Sequence, residues 1–230
     1  MENTVRLLST LALMGAVRSL AGKYEAEGGA RIDADFAPTL RLLDRLRDGE
    51  AADVVILTRE GLAGLAAKGS VVAESCVDLA SSFVGLAVKA GETHPDIATE
   101  AALRKTLLRA RSIAYSRLGA SGIFFAQLIA QMGIAVEIDA RATIVPQGFT
   151  AERLVSGEAD LAVQQISELK QVAGVEIIGP IPLHLQSPAV FSAGRLAASG
   201  KVALSDWLLK FLASAEAAPA LRESGLEPCV

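Results

Sequence analysis

The chain has 230 residues, of which 51% are hydrophobic and 4% are aromatic, and its formal net charge at pH 7 is −4. This length and composition allow a sizeable apolar core, in one large α/β domain or two small ones. The acidic balance and the few aromatic side chains exclude a basic, aromatic-lined surface, so we predict no nucleic-acid partner. The two cysteines and two histidines are scattered along the sequence, which predicts no metal ion and no cofactor.

The beginning of the chain lacks the features of an export signal. Residues 1–4 are acidic and polar, whereas a secretory signal starts with a basic segment and continues into an apolar one. No stretch reaches the ~18 uncharged apolar residues that a membrane span requires, so we predict no membrane insertion. The sequence as it stands therefore predicts a cytoplasmic protein, or a periplasmic one if a leader has been removed.

Strands and helices alternate through the first part of the chain. From the spacing of apolar residues we predict strand 5–9, helix 10–24, strand 30–36, helix 40–47 with Thr39 as its N-cap, strand 53–58 and helix 60–68. The run 53–58 is continuously apolar, as in a parallel strand that is covered by helices on both faces. This alternation is typical of βαβ units.

A second series of the same kind follows. Its predicted elements are strand 83–88, helix 100–110, strand 112–115, a helix after the turn 119–122, strand 141–145, helix 150–157, strand 160–165, a helix start at Ser167, strands 175–178 and 189–192, and helices 205–214 and 216–224. No low-complexity linker separates the two series. We therefore predict two interleaved lobes, residues 1–83 with 188–230 and residues 84–187, each with a mainly parallel sheet flanked by helices.

Several strand ends open onto small or polar residues immediately before a helix, at 9–10, 38–39, 119–122 and 146–148. The first N–H groups of a helix have no intrahelical partner and lie at the positive end of the helix dipole. Ligands of open α/β sheets bind at such ends, and a small anion fits there without a cationic side chain. The alternative is that the glycines only make turns and that Ser121 only caps its own helix.

Five sequence blocks, taken in order and spacing, resemble one protein family. They are 5–9 (VRLLS), 49–57 (GEAADVVIL), 119–122 (GASG), 156–165 (SGEADLAVQQ) and 211–217 (FLASAEA). On these blocks the chain resembles the type-2 periplasmic solute-binding proteins, in their molybdate-binding-like branch, over nearly its whole length. The resemblance implies the α/β two-lobe periplasmic-binding-protein type II fold, with lobes joined by crossing strands and closing on a small oxyanion. It also implies an ABC transporter permease as a partner, if the protein is exported.

Carried over position by position, the resemblance implies ligand contacts at Ser9, Thr10, Pro38, Thr39, Ala120, Ser121, Gly122, Gln147 and Gln165. Where molybdate binders often have serines and a tyrosine, this chain has Pro38 and Gln165. Amide side chains and Arg117 suit a planar carboxylate at least as well as molybdate, since arginine binds carboxylates bidentately. Arg117 is either a cation of the site or a solvated loop charge.

Two functions of different classes follow from this pattern. The first is a binding protein that holds a small oxyanion or carboxylate between its lobes without chemistry. The second is a cofactor-independent isomerase of a small polycarboxylate, aconitate-like, in which the anion-holding loops stabilise an enolate-like state. The enzyme requires a base, for which the sequence offers His184, Tyr115 and Glu168. The scarcity of histidine and cysteine and the lack of a nucleophile pattern favour the binding protein. A cytoplasmic sensing module that acts through a partner is a third alternative.

Overall fold

The computed structural model describes residues 3–229. The chain forms two units: one runs up to Ser81 and resumes at Ala189, and the other is Ser82–Pro188. The chain therefore leaves the first unit once and returns to it once, and each unit has a sheet of its own.

The strands are β1 (Thr4–Ser9), β2 (Arg31–Phe36), β3 (Val54–Thr58), β4 (Val77–Ser82), β5 (Val84–Lys89), β6 (Ile113–Tyr115), β7 (Thr143–Ile144), β8 (Leu161–Gln165), β9 (Val175–Pro180), β10 (Ala189–Arg195) and β11 (Glu227–Pro228). The helices are α1 (Met14–Ala26), α2 (Thr39–Arg47), α3 (Arg59–Ala67), α4 (Glu100–Arg109), α5 (Ala120–Gln131), α6 (Ala135–Asp139), α7 (Glu152–Val155), α8 (Ile166–Leu169), α9 (Val202–Leu212) and α10 (Ala218–Glu223). Short 3-10 helices cover Leu11–Leu13, Ala73–Ser75 and Leu183–Leu185.

The first unit is built on a six-stranded sheet in the order β11-β4-β10-β3-β1-β2. β1 runs parallel to β2 and β3, whereas β10 is antiparallel to β3 and β11 is antiparallel to β4. Successive side chains of β3 point to opposite faces of the sheet, so alternate residues belong to two separate apolar clusters. Val54 and Ile56 pack with α1 and α9 on one face, and Val55 and Leu57 pack with α2 and α3 on the other. This double burial explains the continuous apolar run in the sequence.

The second unit has a five-stranded sheet in the order β7-β6-β8-β5-β9. β6 is parallel to β7 and β8, and β5 is antiparallel to β8 and β9. One face carries large side chains such as Leu86 and Tyr115, packed against α4 and α5. The other face presents Ala87, Ala114 and Ala162 to α7 and α8. Alanines on this face leave room for the two short helices to lie close to the sheet.

The predicted alternation of strands and helices is present. Three elements were not predicted from the sequence: the strands β4 and β11 and the helix α6. Both sheets are mixed: β5 runs antiparallel to β8 and β9, and β10 runs antiparallel to β3. Two helix starts are also shifted: the N-cap of α2 is Pro38 rather than Thr39, and the N-cap of α8 is Gln165 rather than Ser167.

Candidate functional site

The carboxyl ends of β1, β2 and β3 lie at one edge of the first sheet. The parallel register sets Ser9 beside Phe36 and beside Ile56. The loops that follow these strands begin α1, α2 and α3, so three helix starts meet at this edge. This is the position at which open α/β sheets bind ligands.

Thr10 has a side-chain hydroxyl that is buried at this edge of the first sheet. It is the N-cap of the 3-10 helix that leads into α1, yet its side chain makes no capping hydrogen bond. Its Oγ1 is buried and has no hydrogen-bond partner among the described residues. The neighbouring Ser9 hydroxyl donates to the carbonyl of Thr10 at 3.0 Å. An unsatisfied buried hydroxyl costs about 1–3 kcal/mol, so Thr10 is a candidate to bind a ligand oxygen.

The next two loops of this edge differ in how their helices begin. Pro38 precedes α2 and has no side-chain acceptor, so the first N–H groups of α2 are not capped. Thr39 is the first residue of α2 and is largely buried. The start of α3, by contrast, is capped, because the hydroxyl of Thr58 accepts a hydrogen bond from Gly61 N–H at 3.3 Å. The two loops that were predicted to contact a ligand are those with uncapped helix starts.

The second unit has a corresponding edge at the ends of β6, β7 and β8. α5 begins after Gly119, and no side chain caps it. Ser121 and Gly122 lie inside its first turn and are buried. Ser121 therefore does not serve as the cap of α5, contrary to the alternative that was kept open in the sequence analysis. Ala120 is the first residue of this helix.

Gly122 allows α5 to lie directly against the preceding loop. A Cβ atom built on Gly122 would lie 1.4 Å from the carbonyl oxygen of Ser116, which is far inside van der Waals contact. The Ser116 hydroxyl in turn accepts a hydrogen bond from Leu118 N–H at 3.2 Å. The glycine therefore fixes the shape of the loop that presents the helix start.

Arg117 is engaged within its own unit. Its Nη2 lies 3.1 Å from Asp139, and its guanidinium lies over the ring of Tyr115, 5.9 Å from the centroid. The Tyr115 hydroxyl donates a hydrogen bond to Asp139. Burial and the Asp139 carboxylate raise the pKa of Tyr115, so this phenol is a poor base. The charge of Arg117 is already paired with Asp139, although its side chain remains half exposed.

The loop after β7 is held by Gln164, a residue that was not predicted to contact the ligand. Gln164 is buried, and its amide oxygen accepts from Thr150 N–H at 2.8 Å and from the Thr150 hydroxyl at 3.0 Å. Its amide nitrogen donates to the carbonyl of Gly148 at 3.3 Å. Gln147, a predicted contact, is exposed on this loop. The pair of glutamines that ends the otherwise apolar strand β8 was the available sequence clue to Gln164.

Gln165, the last residue of β8, also uses its side chain within the unit. The carbonyl oxygens of Ser82 and Phe83 lie 3.1 and 3.2 Å from one end of its amide, so the amide nitrogen is assigned to that end as the donor. The backbone N–H of Glu168 donates to the Gln165 side chain, and the Glu168 carboxyl accepts from Gln165 N–H at 3.1 Å, which completes a capping box. Gln165 thus lies at the predicted edge with both ends of its amide engaged.

Glu168 is the one candidate base at this edge whose pKa is displaced toward neutrality. Burial raises the pKa of Glu168 to about 8, although the hydrogen bond from Gln165 N–H opposes the rise. The adjacent Ser167 hydroxyl is buried and has no partner among the described residues. His184, the other candidate base, is exposed on the 3-10 helix that follows β9.

The ten predicted contact residues fall at two sheet edges. Ser9, Thr10, Pro38 and Thr39 share the edge of the first unit. The remaining six lie at the edge of the second: Arg117 and Gln147 in loops, Ala120, Ser121 and Gly122 in the first turn of α5, and Gln165 at the end of β8. Within residues 3–229, no cluster of three or more His, Cys, Asp or Glu side chains is suited to hold a metal ion. No helix in the same range has the length and apolarity needed to cross a membrane.

A family model described as bacterial extracellular solute-binding protein matches residues 5–227. The chain belongs to this family. A Pseudomonas protein named aconitate isomerase is 36% identical to it over 231 residues, which cover 98% of this chain and 88% of that protein. The predicted family membership is thereby confirmed.

Solved structures agree on the fold at lower sequence identity. The periplasmic molybdate-binding protein of Azotobacter vinelandii superposes with a TM-score of 0.81 at 17% identity, covering 96% of this chain and 98% of that one. The sulfate-binding protein of Mycobacterium tuberculosis gives a TM-score of 0.74 at 16% identity, covering 99% and 87%. The fold is the two-lobe periplasmic-binding-protein type II fold, as the sequence predicted.

The contact at Gly122 gives a first prediction. Gly122→Ala should lower the free energy of unfolding by about 3 kcal/mol or more, because the new methyl group has no space beside Ser116. Gly64→Ala is the matched control: it is also a helical glycine, but nothing lies within 4 Å of the added Cβ. It should be neutral or stabilising by up to about 1 kcal/mol. Urea denaturation measures both, and equal effects would contradict the proposed clash.

The burial of Glu168 gives a second prediction. Its folded-state pKa of about 8 lies above the ordinary value of 4.5, so the folded chain keeps a proton that the unfolded chain releases between these pH values. The free energy of unfolding should therefore fall as pH rises through this window, by at most about 1.4 kcal/mol per pH unit from this group. Glu168→Gln should remove that component. Parallel stability curves for the two proteins from pH 5 to 8 would show that Glu168 does not titrate in this way.

Proposed function

We propose that this solute-binding protein binds a small oxyanion or carboxylate, with the strand-end loops of its two units as the binding elements. The observation that carries the proposal is the contrast between helix starts. α3 and α8 are capped by their own side chains, whereas α2, α5 and the 3-10 turn before α1 have no side-chain cap. The buried Thr10 hydroxyl without a partner lies at one of these uncapped starts.

The chemistry of these loops suits oxygen atoms of an anion. Uncapped N–H groups and hydroxyls donate hydrogen bonds, and the helix dipole adds a favourable field at the same place. The one arginine of the α5 loop is paired with Asp139, so the binding groups are largely neutral dipoles. Such a site holds a tetrahedral oxyanion or a carboxylate without a permanent counter-charge. Solved relatives of the same fold are named as molybdate-binding and sulfate-binding proteins.

As a transport component, the chain would pass its ligand to an ABC transporter permease outside the cytoplasmic membrane. The description of the family as extracellular is in line with this partner. Transfer to a permease requires only reversible binding, which is what the neutral donors of these loops provide.

The second candidate function is isomerisation of a small polycarboxylate. It is favoured by one observation, the 36% identity along nearly the whole chain to a protein named aconitate isomerase. In such a reaction a base removes a proton from a carbon next to a carboxylate, and a proton returns to another carbon of the delocalised anion. The loop donors would stabilise the negative charge on the carboxylate oxygens. Glu168 is the available base whose pKa suits proton transfer near neutral pH.

A ligand panel tests the binding function. Protein stripped of bound ligand is heated with molybdate, tungstate, sulfate, phosphate, citrate or trans-aconitate. A ligand at about 100 times its Kd should add about 2.7 kcal/mol of stability and raise the melting temperature. If none of these anions raises the melting temperature, the proposed ligand class is wrong.

Substitutions then locate the site. Thr10→Val and Ser121→Ala should each weaken binding of the responding anion by about tenfold or more, because each removes a hydrogen bond to a charged ligand. Thr58→Ala is the control at a strand end whose hydroxyl already caps α3. It should lower stability by about 1 kcal/mol but leave the affinity unchanged. Isothermal titration calorimetry measures the affinities, and an unchanged Kd in the Thr10 and Ser121 variants would remove both residues from the site.

The isomerase function has a separate test. Cis- and trans-aconitate are incubated with the protein in deuterated water and followed by proton NMR. Interconversion, or exchange of carbon-bound protons for deuterium, at a rate that Glu168→Gln lowers at least about a hundredfold would establish catalysis. Tight binding of aconitate with neither interconversion nor exchange would leave the binding protein as the function.

A further inference from the structure

We propose that the second unit carries a further ligand site, at the end of its sheet opposite the strand-end loops, and that this site takes an organic anion with an apolar body. The site is a cavity of about 660 Å³. All of its lining residues belong to the unit Ser82–Pro188. The proposal goes beyond the function proposed above and does not rest on it.

The cavity lies at the amino ends of β6 and β8. It is bordered by Ala110 and Arg111, which precede β6, and by Asp160 and Leu161 at the start of β8. The predicted ligand contacts of this unit lie at or beyond the carboxyl ends of β6, β7 and β8. β8 has five residues, so at about 3.3 Å per residue roughly 13 Å separates its two ends. The cavity is therefore separate from the strand-end loops.

Most of the buried side chains that line the cavity are apolar. Val88, Leu154 and Leu161 are buried there, and Ala102 on α4 and Ala159 contribute small side chains. Ligand sites of proteins have volumes of about 300–1,000 Å³ and mostly apolar linings with a few polar groups, and this cavity fits that description. We therefore expect the body of the ligand to be apolar.

The loop between β5 and α4 forms one wall of the cavity and is held in place by hydrogen bonds. The Glu176 carboxylate accepts from Gly91 N–H at 3.1 Å and lies 2.8 Å from Nε2 of His94. The Thr106 hydroxyl donates to the carbonyl of Asp96 at 2.7 Å. Because this wall is already anchored, a ligand does not have to order it, which lowers the cost of binding.

Three positively charged side chains line the cavity without an ion-pair partner among residues 3–229. Lys105 and Arg109 lie one turn apart on α4, and Lys89 lies at the end of β5. All three are exposed, and no carboxylate oxygen lies within 4.0 Å of their nitrogens. Arg111 also lines the cavity, but it is paired with Asp160 at 2.9 Å.

Two carboxylates, those of Glu92 and Asp96, line the cavity as well. Asp96 is engaged within its own loop, since its carboxylate accepts from Ala98 N–H at 2.9 Å. Like charges one turn apart on a helix repel each other, and an anion bound between Lys105 and Arg109 relieves that repulsion. Both side chains can also donate charge-assisted hydrogen bonds to a carboxylate or sulfonate. The charged group of the ligand is therefore expected to be anionic and to face α4.

Three probes that share a naphthalene body and differ in charge test the site: 2-naphthoate, 2-naphthalenemethanol and 2-naphthylmethylammonium. Calorimetry at about pH 7.5 and low ionic strength, where exposed charges are least screened, measures the Kd of each. 2-Naphthoate should bind at least about tenfold more tightly than the neutral alcohol, and the cation more weakly than the alcohol. If the alcohol or the cation binds as tightly as 2-naphthoate, or if no probe binds, the proposal is overturned.

Two double variants locate the charged group of the ligand. Lys105→Gln combined with Arg109→Gln should abolish the preference for 2-naphthoate and leave the Kd of the alcohol unchanged, because the apolar lining is intact. Arg104→Gln combined with Lys170→Gln is the control, since it removes the same charge from exposed positions that do not line the cavity. The control should keep the preference. An equal loss in both double variants would mean that net charge attracts the anion, which would contradict the proposal.

A matched pair on α4 tests the apolar lining. Ala102→Phe fills part of the cavity and should weaken the binding of 2-naphthoate and of the alcohol alike, by about tenfold or more. Ala101→Phe introduces the same side chain at the exposed neighbouring position outside the cavity and should leave both Kd values unchanged. If the two variants bind both probes as the unaltered chain does, the probes lie elsewhere and the proposal is wrong.

Variants of the strand-end loops separate the two sites, because 2-naphthoate is itself a carboxylate. Thr10→Val and Ser121→Ala should leave the Kd of 2-naphthoate unchanged, whatever they do to the anions of the ligand panel. If these variants weaken 2-naphthoate and the double variant of Lys105 and Arg109 does not, the probe binds at the strand-end loops and the further site is refuted. Failure of every anion in the panel would refute the proposed function and leave this result standing.

Discussion

The arrangement of the candidate site depends on one constraint, the burial of the central strands on both faces. Alternate side chains of β3 belong to two apolar clusters, one on each face of the first sheet. Alternate side chains of β8 likewise belong to two clusters in the second unit. A strand that is covered on both faces must be followed by a helix that returns over the sheet, so successive parallel strands begin their helices at one edge. The helix starts, with their unpartnered N–H groups and dipoles, accumulate at that edge as a consequence of packing. The capacity to hold an anion follows from the way the core is built.

Packing alone does not make every helix start available to a ligand. The side chains of Thr58 and Gln165 cap the starts of α3 and α8. Pro38 and Gly119 have no side-chain hydrogen-bond acceptor, so the starts of α2 and α5 are uncapped. Thr10 has a hydroxyl but does not use it for capping. At these strand ends, the difference distinguishes helix starts that a side chain already caps from starts whose N–H groups are uncapped. Proline before α2 and glycine before α5 leave the first N–H groups of these helices without a side-chain cap.

The polar residues buried at the end of β8 form the other special feature of the second unit. A carboxyl without a counter-charge is stable there mainly as the neutral acid, and its partners are glutamines rather than arginines or lysines. Neutral amides can hold two segments of chain at once, as Gln164 and Gln165 do, because each offers a donor and an acceptor. A network of this kind rigidifies the edge while every member is satisfied. The same property suits either a binding protein or an enzyme that moves protons.

The sequence by itself determined the strands 5–9 and 53–58, the alternation with helices, the family and the loops at the strand ends. All of these depend on short-range periodicity or on blocks of local sequence. Tertiary structure alone decided the use of each polar group, because its partner lies far along the chain. Arg117 is neutralised by Asp139, Gln165 is turned toward Ser82 and Phe83, and Gln164 holds Thr150. The strands β5 and β10 were predicted from their composition, but their antiparallel direction, and the existence of the two-residue β11, were decided by pairing with distant strands. The local sequence pattern thus specified where the hydrogen-bond donors of the strand-end loops lie. Long-range contacts specified which polar groups already have a partner within the protein.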